Sequence, residues 1–171
     1  KEKKCDLIYC DALLFGSLYE ANETYSKKSP SNGQVTTESL ISGDCNVITS
    51  GTIVRRKNVL EVGKFDENLP RIGMEDFDLW FRLARNGAKL DYQKKVLIKY
   101  RTRADSLSGT VLQRAERSIK AMKIIDEKYD LNEREIIALN EILKELHAAF
   151  TLDKGKVELI KIGEIMIGKA T

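Results

Sequence analysis

Hydrophobic and polar positions change rhythm several times along the chain, and each change predicts an element. Residues 5–15, CDLIYCDALLF, form a short apolar run rich in strand formers, which predicts a buried strand. Residues 16–38 are polar, with Pro30, Asn32-Gly33 and many Ser and Thr, and predict a loop or short β-ribbon over a cleft. A short helix and turn follow over 39–46, a strand over 47–55, and a helix over 57–62 that Gly63 ends. Phe77, Trp80, Phe81 and Ala84 then fall at i, i+3, i+4 and i+7, the spacing of an amphipathic helix, and Gly87 is its stop. Residues 88–100 alternate imperfectly and predict two short strands about a Lys94-Lys95 turn.

From residue 111 the rhythm becomes helical throughout. Helices are predicted over 111–129, 133–150 and 154–168, with Asn132 and Glu135 as the N-terminal capping signal of the second. The pattern divides the chain into 1–110, mixed α/β, and 111–171, an α-helical tail suited to paired helices or a partner surface.

Composition narrows the class without naming a function. Of 171 residues, 42% are hydrophobic and 32% charged, ordinary for a globular protein with its own core. A net charge of +3 from 29 basic and 26 acidic residues lacks the basic stripe of a nucleic-acid binder. Cys5, Cys10 and Cys45 are odd in number and form no CxxC pair, which fits reduced thiols better than a metal site. No apolar run reaches the length of a membrane span.

The chemistry concentrates where a turn-rich stretch, Gly63-Lys64-Phe65-Asp66-Glu67, leads to Glu75, Asp76 and Asp78 at the start of the aromatic helix. Acids there meet unpaired backbone N–H groups and the positive end of the helix dipole, each contributing roughly 0.3–1 kcal/mol. The alternative is a general base at the rim of a cleft. Local physics leaves both open.

Three segments in order, SGTIVRRKNVLEVG, VGKFDENLPRIGMEDFDLWFRLARNGAKL and YRTRADSLSG, resemble the acceptor side of family 2 glycosyltransferases of the GT-A fold. The likeness runs over about residues 5–110. It implies a partial mixed sheet with flanking helices, followed by the helical tail, and transfer of a sugar from a nucleoside-diphosphate sugar to an acceptor hydroxyl with inversion. Asp76 would be the base and Glu75 its positioning or acceptor-contacting neighbour. Gly51 and Thr52 would line the cleft near the sugar, although strand irregularity explains Gly51 equally well. Trp80 is first a core residue and alternatively a stacking platform for a sugar ring. Arg82 is turned about 200° from it and is expected to be exposed or paired with an acid.

Arg101, Arg103 and Ser106 are candidates to hold the diphosphate, since guanidinium forks match phosphate oxygens, with surface ion pairing as the alternative. Arg103 stands where the family often has a metal-assisting His, and Arg cannot ligate a cation. The resemblance implies a divalent cation, Mn or Mg, with ligands mostly outside this chain. The Asp-x-Asp of the nucleotide-binding half is not found; Asp76-Phe77-Asp78 has the letters in the wrong place, and Asp11 reads as a strand-end hydrogen-bonding group. The expectation is therefore a C-terminal half of a longer enzyme, inactive alone. Its partners would be a nucleotide sugar and a glycan or other hydroxyl acceptor, its location cytoplasmic, with room for association at the membrane's inner face. Two rivals are a non-catalytic carbohydrate- or protein-binding module and a helical adaptor. His147, the single histidine, lacks triad or metal companions and reads as packed or surface.

Overall fold

The computed structural model describes residues 4–16, 23–103 and 111–153. Its centre is the predicted first strand, β1 (Leu7–Gly16), flanked by the short β2 (Thr52–Val54) antiparallel on one side and β3 (Leu90–Thr102) parallel on the other. Being the middle strand explains the unbroken apolar run: Leu7, Tyr9, Cys10, Ala12 and Leu14 are all buried. Between β1 and β2 lie two brief helices, α1 (Tyr25–Lys28) and α2 (Thr37–Ile41). Residues 30–32 run against 44–46 through Asn32 N–H to Asp44 O (2.9 Å) and Asn46 N–H to Pro30 O (3.0 Å), so the polar segment does include a short ribbon.

Between β2 and β3 come α3 (Arg56–Glu61) and α4 (Glu75–Arg85), and the chain continues into α5 (Val111–Lys128) and α6 (Glu133–Asp153). This is a mixed α/β arrangement, a three-stranded mixed sheet with flanking helices and a helical C-terminal part, as a partial GT-A-like fold requires.

α4 connects two cores. Leu79, Trp80 and Leu83 pack with the sheet residues Leu7, Tyr9, Leu90 and Tyr92. Phe81 faces the other way, into a helical core with Ile41, Met122, Ile125 and Leu139, and Phe77 touches both. The helix ends as its sequence predicts: Gly87 has φ +78°, its N–H reaches Ala84 O, and the Ala88 N–H reaches Leu83 O, a Schellman closure. α6 begins with the predicted capping box. Asn132 Oδ1 accepts from the Glu135 N–H (3.1 Å), and Glu135 Oε2 accepts from the Asn132 N–H (3.0 Å).

Two predicted elements differ. Lys94-Lys95 is not a turn: β3 is one strand, and β1 pairs in parallel with both of its halves. The extra residues are absorbed as irregularities, the partner of Cys10 being Gln93 and that of Asp11 being Val96. The strand expected over 47–55 shrinks to Thr52–Val54, because Thr49–Gly51 coils into a 3-10 turn with the Gly51 N–H on Ile48 O at 3.0 Å. The third tail helix, 154–168, lies outside the described residues.

Candidate active site

The first turn of α4 sorts its acids by direction. Met74, the residue before the helix, offers no side-chain cap. Asp76 supplies one instead, its Oδ1 accepting from the Phe77 N–H at 2.8 Å. Its Oδ2 accepts from Thr49 Oγ1–H at 2.6 Å, a bond reaching from α4 to the 3-10 turn before β2. The half-buried carboxylate therefore caps and faces a cleft at once. Each oxygen retains acceptor capacity for a further donor.

Asp78, two residues on, points the opposite way and is fully buried. It accepts from Arg82 Nε (2.8 Å), Lys128 Nζ (2.6 Å) and the Tyr129 hydroxyl (2.6 Å). Burial alone works to raise its pKa, but the three donors outweigh that and hold it below the ordinary carboxylate value. Arg82, expected to be exposed or acid-paired, pairs with Asp78 and donates to the Val62 carbonyl and to Lys64 O (2.7 Å) at the end of α3. Lys128 also bridges to Asp66 at 2.8 Å. The Asp-x-x-x-Arg pair is thus a clamp joining α3, α4 and the end of α5, separate from the cleft.

The cleft beside Asp76 has a volume of about 550 Å³. Glu75 and Asp76 stand at its α4 rim, Tyr25 and Tyr100 form an aromatic pair in its wall (ring centroids 5.8 Å apart), and Arg117 of α5 lines it near Gly73. Trp80 borders it too, but at 4% exposure it is a core residue, with no ring face left for a sugar to stack on. Its indole N–H finds no acceptor among the described residues.

Among the described residues, Gly51, Thr52, Arg101 and Arg103 are not brought to this cleft. The space beside Gly51 is filled by protein: a Cβ there would stand 3.0 Å from Cys10 Sγ and 3.1 Å from Ile48 Cγ2. Thr52 turns its hydroxyl to Ile48 O at 2.8 Å. Arg101 alternates with Tyr100 along β3, so it faces away from the cleft wall and lies over the Phe15 ring at 5.4 Å. Arg103 follows the end of β3, and Ser106 lies outside the described residues. Asp11 holds the backbone and hydroxyl of Ser26 at 3.0 and 2.6 Å, the structural role expected of it.

Sequence reasoning missed Thr49, Tyr25, Tyr100 and Arg117. Tyr100 opens the quoted YRTR segment and was within reach, whereas nothing local marks Thr49, which comes to Asp76, or Arg117, which comes to the cleft, only through the fold. His147 donates from Nδ1 to Leu143 O (2.6 Å), within its own helix.

On this two-core α/β scaffold a capped, half-buried carboxylate stands at the lip of an aromatic-walled cleft. The comparisons give the family. Residues 4–124 match the family model described as Glycosyltransferase like family 2, and the chain belongs to that family. Over 50 residues it is 38% identical to the uncharacterized glycosyltransferase YfnE of Bacillus subtilis (strain 168), a match covering 29% of this chain and 13% of that protein. No solved structure matches. The family generally uses a divalent cation. Among the described residues no three His, Cys, Asp or Glu side chains converge to hold one, so Asp76 and Glu75 do not by themselves fit a metal. No described helix is long and apolar enough to cross a membrane.

Proposed function

We propose that this chain forms the acceptor side of a glycosyltransferase that moves a sugar from a nucleoside diphosphate to an acceptor hydroxyl with inversion. Asp76 takes the acceptor proton. The new bond forms between that oxygen and the anomeric carbon as the bond to the leaving diphosphate breaks on the opposite face. The observation that carries the proposal is the Asp76 carboxylate, aimed by Thr49 and by the Phe77 N–H at the rim of the cleft.

Glu75, exposed beside it, contacts the acceptor, and the Tyr25–Tyr100 pair takes the platform role that was the alternative reading of Trp80. Gly51 and Thr52 contribute indirectly, by shaping the turn that presents Thr49. Arg101, Arg103 and Ser106 remain candidates for the diphosphate, and the cation, Mn or Mg, takes its ligands from elsewhere. Across the division at residue 110, α5 and α6 share a core with α2 and α4.

The test is Asp76→Asn in the intact protein, assayed with UDP- and GDP-sugars in the presence and absence of manganese. Transfer is expected to disappear with the melting midpoint nearly unchanged. Retained transfer removes Asp76 from the mechanism, and an intact protein that binds sugar without turnover is a binding module.

A further inference from the structure

The cleft changes character away from Asp76. Over one turn of α5 its wall passes from Arg117 and Ser118 to Ala121 and Met122, and Ile142 and Leu146 of α6 line it as well. Ile72 and Phe77 continue the apolar surface back towards Asp76. Ile72, Phe77, Ile142 and Leu146 are only half-buried, so apolar surface faces the open cleft, whereas charge is confined to Glu75, Asp76 and Arg117 among the described lining residues. A sugar alone would find few hydrogen-bonding partners along this aliphatic stretch. A hydrocarbon chain would remove it from water.

We infer that the acceptor carries an alkyl chain next to its reacting hydroxyl, and that α5 and α6 receive that chain. The inference rests on the reading of Asp76 for where the hydroxyl sits, and it makes the helical tail the part that selects the acceptor. The occupant follows from continuity: the aliphatic residues and the carboxylate rim line one and the same cleft.

The single tryptophan, Trp80, borders the same cleft and reports its occupancy by fluorescence. The probes are methyl, butyl, hexyl and octyl β-glucosides, each below its micelle concentration, titrated into the whole chain. Affinity is expected to rise by up to about fourfold for each methylene that becomes buried, levelling off when the cleft is full, with methyl glucoside much the weakest. Ile142→Ser and Leu146→Ser are expected to weaken octyl glucoside at least several-fold while circular dichroism stays unchanged. Affinity independent of chain length overturns the inference, a result that needs no variant to fold. So does undiminished octyl binding in both serine variants. Asp76→Asn should keep the chain-length dependence, so loss of the base reading and loss of this one give different results.

Discussion

Replacing Asp78 by Asn keeps the side chain's shape and removes the charge of a fully buried carboxylate. The acid is 0% exposed and accepts from Arg82, Lys128 and Tyr129. Stranding buried cations by removing one partner costs about 3–5 kcal/mol. Here the loss is cushioned, because Lys128 keeps Asp66, Arg82 keeps the α3 carbonyls, and their side chains are 28% and 16% exposed. About 3 kcal/mol is the resulting expectation. That is a large share of a total near 5–15 kcal/mol, and for a chain of 171 residues it lowers the melting midpoint by roughly 6–12 °C. Asp76→Asn, on the same helix turn, should cost no more than about 1 kcal/mol, since its two bonds go to a hydroxyl and one backbone N–H. Urea unfolding of both variants, followed by circular dichroism and Trp80 fluorescence, makes the comparison. A stability loss under about 1 kcal/mol for Asp78→Asn, or an equal loss at Asp76, would refute the division of the helix start into one structural and one functional acid.

Three further outcomes follow from the same contacts. Asp78 is held below its ordinary pKa, as is Asp11, where burial again raises and the Ser26 and Ala12 bonds lower. Such groups contribute stability above the unfolded carboxylate value near 3.9 and lose it as pH falls through their lower folded values. Acid titration monitored by circular dichroism should therefore show stability roughly level from this source above about pH 5 and declining below about pH 4, a decline that Asp78→Asn reduces. Asn132→Ala removes the cap of α6 and should cost about 1 kcal/mol in urea unfolding. Gly87→Ala has room for its methyl but places a side chain at φ +78°, so a loss of about 1–2 kcal/mol from backbone strain alone is expected in the same assay.

Periodicity and end signals depend on neighbours in the chain, so the sequence by itself determined β1, α4 with its Gly87 stop, the capping box of α6 and the first two helices after residue 110. It also marked Asp76 as a residue with two possible employments, and the quoted motifs pointed to the family to which the chain belongs. It misjudged Lys94-Lys95, because a bulge and a turn look alike until a partner strand is present to keep both halves parallel. Tertiary structure alone decided which acid of Glu75, Asp76 and Asp78 looks into the cleft, that Gly51 is packed by its own protein, and that Arg101 faces away while Arg117, from 41 residues after Asp76, lines the wall. The physical reason is direction: residues two apart on one helix turn point to different sides, and only the two cores flanking α4 settle which side is buried and which is open.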